Sequence, residues 1–230
     1  LSGGRYRVTA KLGEGGMGYV YRARDTNLGS DVVIKVPKLA MLVERQFRER
    51  FVRELRSLVK LSHPHIVTIT DVGQEGKIPY AVMQFLSGGD LTARLSSDPA
   101  RLADWLPAIA AALDYVHKQG FVHRDVKPGN ILFDEEGHAF LSDFGVAKVV
   151  SDTQQEHDNL TGTGMAIGTS DYMAPELIMG KEISGSIDQY ALAITVYEAL
   201  AGKRPFTGNS PSAVMVAHTT EQPAAIDGLP

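Results

Sequence analysis

The chain has 230 residues, enough to bury a sizeable core as one large domain or two small lobes. Its 43% hydrophobic and 22% charged content is ordinary for a globular protein, and a net charge of −4 gives no reason to expect a general nucleic-acid or membrane-surface binder. The lack of cysteine excludes disulfides, thiolate metal sites and cysteine nucleophiles; with no signal peptide and no apolar run of about 18 residues, the segment reads as soluble and compatible with the cytoplasm.

Arg5 to Lys11 alternates polar and apolar residues and predicts a strand. Gly13, Gly15 and Gly18 with Val20 then fit the spacing G-x-G-x-x-G-x-V, and a second alternating run follows from Tyr19 to Arg24. Glycines so placed let backbone N–H groups approach phosphate oxygens closely. A dinucleotide-binding turn would open a helix at this point. Here the return run favours a strand, so the stretch reads as a hairpin lid, with a structural glycine turn as the alternative. Val32 to Val36 is a β-branched strand carrying one lysine, Lys35. A lone strand lysine is most simply solvated; this one follows Gly18 by about 17 residues.

Residues 44 to 61 place Phe47, Phe51, Leu55, Leu58 and Leu61 near helical period. Glu54 flanks that stripe and can face inward to pair with Lys35. Arg45, Arg48, Arg50, Arg53 and Arg56 most simply form a solvated face, with the gripping of a phosphorylated segment as the other reading. His63-Pro64-His65-Ile66-Val67 ends the helix and starts a strand; its histidines lack the further ligands a metal needs. Tyr80 to Met83 is another strand, running into a glycine-bearing connector from Gln84 to Leu91. Asp98-Pro99 supplies an N-cap and a first-turn proline for a long amphipathic helix through Leu102, Leu106, Ile109, Ala110, Leu113, Val116 and His117, which reads as core and not as site. Gly120 stops it, and Pro107 predicts a kink inside it.

His123-Arg124-Asp125-Val126-Lys127-Pro128-Gly129-Asn130 concentrates the chemistry. A carboxylate (Asp125) can orient a hydroxyl and accept its proton, a cation two residues on (Lys127) can neutralise a moving phosphoryl group, and an amide oxygen (Asn130) can help hold a divalent ion. Short strands at Ile131 to Phe133 and Ala139 to Ser142 lead to Asp143-Phe144-Gly145. Residues 146 to 170 are polar and aperiodic, a surface loop that ends at Ala174-Pro175-Glu176. Ile187 to Leu200 is apolar on most sides and so predicts a buried helix; Ser212 to Thr219 begins another.

Glycine loop, strand lysine, helix glutamate, H-R-D-x-x-x-x-N, D-F-G and A-P-E occur in that order, and on them the chain resembles the protein kinase superfamily. The Thr161/Thr163 pair and Phe206-Thr207-Gly208-Asn209-Ser210-Pro211 are most similar to the bacterial eukaryotic-like serine/threonine kinases. The resemblance implies an α+β, two-lobed protein kinase fold. Residues 1–86 would form a small, mostly antiparallel β N-lobe with one key helix. Residues 87–230 would form a mainly α-helical C-lobe whose C-terminal helices are missing, with the activation segment at 143–176. It further implies ATP between the lobes, in contact with Leu12, Gly13, Gly15, Gly18, Val20, Val33, Lys35, Met83, Gln84, Leu86, Asp90 and Leu132. Met83 would be the gatekeeper and Asp90 would lie near the ribose. Asn130 and Asp143 would hold Mg²⁺, or Mn²⁺ in its place, while Asp125, Lys127, Lys35 and Glu54 would carry catalysis.

By the same resemblance Thr161 and Thr163 are autophosphorylated, with Arg124 as the phosphate's partner. Thr169 bonds within the catalytic loop, and Asp188 fixes that loop's backbone. Lys127 with Gly168-Thr169 points to protein substrates modified on Ser or Thr. A homodimer for trans-autophosphorylation, a cytoplasmic location, and no nucleic-acid or membrane contact by this segment complete the expectation. A catalytically weak scaffold and a small-molecule phosphotransferase are the alternatives.

Overall fold

Stretches rich in Val, Ile and Tyr, residues that fit a pleated half-buried surface, pair into one antiparallel sheet in the computed structural model. Its strands are β1 (Tyr6–Glu14), β2 (Gly18–Asp25), β3 (Ser30–Pro37), β4 (Ile69–Glu75) and β5 (Ile78–Gln84), in the order β1-β2-β3-β5-β4. Residues 1–15, 18–43, 45–144, 170–226 and 228 are described. They divide into two compact units: Leu1–Ser62 with Val67–Phe85, and His63–Ile66 with the described residues from Leu86 onward.

In the first unit, alternation along β3 sends Val32 and Ile34 into a core with Tyr6, Ala23, Tyr80 and Val82. Val33 and Lys35 take the other face, where helix α1 (Arg45–Leu58) packs Phe51 and Leu55 against Leu42 and Ala81. One ionic knot ties the sheet's ends together. Asp25, only 1% exposed, accepts from Arg5 at 2.9 Å, and Asp71 accepts from Tyr6 Oη at 2.7 Å. The Arg5 hydrogen bond holds the Asp25 carboxyl below its usual range.

The strand expected to start at His63 starts at Ile69 instead. The backbone of this segment is already engaged in the second unit: Leu141 N–H donates to the His65 carbonyl at 2.8 Å, and Ile66 bridges Leu141. The histidine rings have structural partners too. His65 Nδ1 donates to the Ala139 carbonyl at 3.0 Å, and His63 stacks on Tyr115 with centroids 5.2 Å apart.

The second unit holds α2 (Leu106–Lys118), the hairpin of β6 (Ile131–Phe133) and β7 (Ala139–Leu141), α3 (Pro175–Ile178), α4 (Ser186–Ala201) and α5 (Pro211–Thr220). The long helix with a proline kink is in fact two pieces. Asp98 caps a 3-10 turn over Pro99–Asp104 by accepting from Ala100 N–H at 3.0 Å, the chain breaks at Trp105, and Pro107 falls in the first turn of α2. A first-turn proline removes no helical hydrogen bond, which is why the helix restarts there and does not bend. Ile109, Ala112, Leu113 and Val116 line its buried face, and α4 is closed by Gly202 in the left-handed conformation. Among the described residues no helix is long and apolar enough to cross a membrane.

Helix α5 buries His218 beneath Phe206 and Tyr190, with Nδ1 at 2.7 Å from the Tyr190 hydroxyl and Nε2 without a hydrogen-bond partner among the described residues. Burial pushes this imidazole down to about 4 from its usual 6.5. The unfolded chain therefore takes up a proton near pH 6.5 that the folded chain refuses until about pH 4, so acid favours unfolding across that window. Thermal denaturation of His218→Gln between pH 4 and 7 should show a flatter loss of stability than the parent; an equally steep loss would place the acid sensitivity elsewhere.

Candidate active site

The second unit's polar cluster is built on Asp125. Its Oδ2 accepts from Lys127 Nζ at 2.8 Å and from Asn130 Nδ2 at 2.8 Å, and Asn130 Nδ2 donates as well to the Asp125 carbonyl at 2.7 Å. With its amide nitrogen so engaged, Asn130 keeps Oδ1 outside any hydrogen bond among the described residues. The Asn130 carbonyl accepts from both Ser142 N–H (2.9 Å) and Ser142 Oγ (3.0 Å), which fastens the residue before Asp143 to the catalytic-loop segment. Asn130 Oδ1 and the Asp143 carboxylate are thus hard oxygen donors on two hydrogen-bonded segments, a donor set suited to a divalent cation.

The loop backbone is held from below by Asp188, at 1% exposure. Its carboxylate accepts from His123 N–H at 2.7 Å, Arg124 N–H at 2.8 Å and His117 Nε2 at 2.8 Å. Such anchoring is needed, because Arg124 and Asp143 both lie in the left-handed region (φ 65° and 64°), a conformation unfavourable for residues with a Cβ. His123 is fully buried: Nε2 donates to the Ser142 carbonyl at 2.8 Å and Nδ1 accepts from Asp125 N–H at 3.3 Å. Burial lowers its pKa, and the two bonds select the neutral ring.

Two contributors escaped the sequence reading. His117 belongs to a helix read there as core, yet it is the third donor to Asp188. Gly185 is its counterpart, because a Cβ there would lie 2.6 Å from the His117 ring. The available signal was weak: a histidine in the last turn of an apolar helix, and a glycine three residues before the buried aspartate. Among the other expected contacts in this unit, Asp90 bridges Leu132 and caps Thr92 N–H at 2.9 Å, and Leu86 is half-buried.

In the first unit, strand register gathers the expected nucleotide contacts. Val20 lies opposite Lys35, Lys35 opposite Ala81, and Val33 opposite Met83, so these side chains share one sheet face. Gln84 ends β5 and Leu12, half exposed, lies on β1. The α1 helix packs on that face through Ala81, and Glu54 and Lys35 are both half-buried. The glycines differ in kind. A Cβ on Gly13 or Gly15 would meet open space, whereas one on Gly18 would lie 2.3 Å from the Val36 carbonyl oxygen. Gly145, Thr161, Thr163 and Thr169 lie outside the described residues.

A family model described as protein kinase domain matches residues 6–227. The serine/threonine-protein kinase PknA of Mycobacterium tuberculosis is 40% identical over 96% of this chain, which spans 52% of that protein. The DNA damage-responsive serine/threonine-protein kinase RqkA of Deinococcus radiodurans is 40% identical over 96% of this chain, which spans 33% of that protein. The chain thus spans between a third and about half the length of these relatives. The crystal structure of the Mycobacterium tuberculosis PknI kinase domain superposes with a TM-score of 0.68 at 30% identity, covering 97% of this chain and 80% of that one.

The glycine geometry separates two kinds of damage. Gly18→Ala should lower the melting temperature, because β3 backbone must yield, at about 1–3 kcal/mol. Gly13→Ala and Gly15→Ala should leave it nearly unchanged and weaken nucleotide binding instead. Thermal unfolding with and without nucleotide tells them apart; equal destabilisation by all three would refute the distinction.

Proposed function

The chain belongs to the protein kinase domain family, and on that premise we propose that it is a serine/threonine protein kinase domain that transfers the γ-phosphoryl group of ATP to protein hydroxyls. The observation that carries this reading is the Asp125 carboxylate held at 2.8 Å by both Lys127 and Asn130 on a loop anchored by a buried aspartate. Three charged or polar groups fixed at one point suit a reaction whose catalysis is mostly placement and charge stabilisation. The names of the relatives, Lys127 and the Gly168-Thr169 pair support serine and threonine as acceptors.

In this mechanism the Asp125 Oδ atoms orient the acceptor hydroxyl and take its proton, and Lys127 leans on the same carboxylate to meet the charge of the transferring group. Asn130 Oδ1 and Asp143 are the residues for Mg²⁺, with Mn²⁺ able to replace it. The ion supplies neutralisation of the β- and γ-phosphate charge. The sheet face of Val20, Val33, Lys35 and Met83, the glycine loop at Gly13, Gly15 and Gly18, and the residues Leu12, Gln84, Leu86, Asp90 and Leu132 make up the ATP contacts. Glu54, on α1, is the partner of Lys35. Thr161 and Thr163 take phosphate from the chain's own activity, acting in trans within a homodimer, and the domain works in the cytoplasm, where ATP and protein substrates are.

Asp125→Asn should lower phosphoryl transfer ~10²–10⁴-fold while ATP affinity is retained. Autophosphorylation at a comparable rate would remove Asp125 as the base. Phosphopeptide mapping after incubation with ATP should place phosphate on Thr161 or Thr163, and a map with neither would end the loop-switch part of the proposal.

A further inference from the structure

The connector from Leu86 to Asp90 opens the second unit with two glycines in succession, the backbone with the most freedom a chain can offer. It is nevertheless fixed. Gly88 N–H donates to the Phe133 carbonyl at 2.8 Å, Phe133 N–H donates to the Gly89 carbonyl at 2.9 Å, and Asp90 forms an antiparallel bridge with Leu132. The approach is so close that Gly88 must be glycine: a Cβ there would lie 2.2 Å from the Asp134 carbonyl oxygen. Gly89, in the left-handed region (φ 76°), turns the chain into Asp90.

Arg94 closes this arrangement from one side. It is the last residue of a short 3-10 turn, Leu91–Arg94, which Asp90 caps through Thr92 N–H. Its Nη2 donates to the Gly88 carbonyl at 2.7 Å, and its guanidinium carbon lies 4.1 Å from the centre of the Phe133 ring. Phe133 is only 2% exposed. One side chain thus grips both members of the Gly88–Phe133 pair. A cationic donor to a carbonyl is stronger than a neutral one, and a planar cation over an aromatic face adds to it. Arg101 shows the contrast, since its partner is the exposed Asp104, three residues on in the same surface turn.

Alternation along β6 decides what this clasp controls. Ile131 and Phe133 are buried, and Leu132 between them takes the opposite face. Leu86, Asp90 and Leu132, three of the residues assigned above to ATP, all belong to the connector and β6. Arg94 lies on the Phe133 side, so it acts from behind that surface and not by contact. Resting on the ATP reading, we propose that Arg94 is a positioning residue for the base-and-ribose end of the nucleotide. It holds the connector against β6, so that Leu86, Asp90 and Leu132 form one surface before the ligand arrives. Without it the glycines regain their freedom, and binding must order the connector at a cost in affinity.

The test compares the full chain with Arg94→Ala, Arg94→Lys and, as a control for loss of an exposed charge, Arg101→Ala. Adenosine and ATP affinities are measured by titration calorimetry, and transfer to an acceptor peptide by steady-state kinetics, below every protein's melting range. Arg94→Ala should weaken adenosine and ATP by the same factor, about tenfold, because the phosphates are not involved. The KM for ATP should rise with it while kcat at saturating ATP changes by less than about twofold, the signature of lost uniform binding. Arg94→Lys, which keeps a cation and a donor, should lose about threefold or less. Arg101→Ala should match the parent. Without nucleotide, amide exchange at Gly88 and Phe133 should be faster in Arg94→Ala than in the parent. Unchanged adenosine affinity in Arg94→Ala overturns the proposal, whatever happens to its melting temperature. So does a fall in kcat with the KM for ATP intact, or an equal loss in Arg101→Ala. A parent chain that binds adenosine and ATP but transfers no phosphate counts against the transferase reading alone, and the adenosine comparison still decides this one. A parent that binds neither overturns both.

Discussion

The Asp188 carboxylate, buried at 1% exposure, accepts three hydrogen bonds, one of them from the fully buried His123. A buried charge without partners would be untenable, and buried N–H groups without an acceptor would each cost about 1–3 kcal/mol. Each side of the arrangement therefore requires the other. It fixes two successive peptide units at the head of the catalytic loop, which is what lets Arg124 persist in a left-handed backbone conformation. Downstream, the Asn130 carbonyl repeats the device by holding Ser142 from both its backbone and its hydroxyl. Asp125, Lys127, Asn130 and Asp143 thus lie on short segments pinned at both ends, with α4 as the base.

The first unit solves a different problem. A lysine on a central strand needs a reason to be half-buried, and the register supplies one. Lys35 stands in a row with Val20 and Ala81, and α1 covers that row from above with Phe51 and Leu55. The same helix turns Arg53 and Arg56 away, toward the β4–β5 hairpin. One fourteen-residue element therefore serves an apolar contact on one side and a cationic face on the other. The separation follows from 3.6-residue periodicity, since residues 51, 55 and 58 fall on one stripe and 53 and 56 on the far side.

What could be read from residues and what could not divides along physical lines. The glycine spacing, the β-branched strand around Lys35 and the tight H-R-D-x-x-x-x-N cluster are local patterns, and the chain's α+β elements follow from them and from apolar periodicity. Long-range competition was not legible. His63 to Val67 looked like the start of a strand because nothing local reveals that Leu141 takes the His65 carbonyl. Pro107 looked like a kink because nothing local shows that the helix breaks at Trp105 and makes the proline a first-turn residue. The pairing of His117 with Asp188 joins positions 71 apart in sequence and needs Gly185 to make room. Gly18, read with Gly13 and Gly15 as one motif, answers to a β3 carbonyl that only the folded sheet brings near.

His123 stands two residues before the acid proposed to accept the substrate proton, and from sequence it is the obvious rival for that work. Its ring has no capacity left. One nitrogen donates to a carbonyl, the other accepts a peptide N–H, and burial disfavours the imidazolium. An imidazole so placed is a spacer of fixed polarity, setting the separation between the loop and β7. The enzyme's pH–rate profile should accordingly carry no inflection from this side chain near neutrality, and the loop should keep one shape across the range of pH that a cell allows.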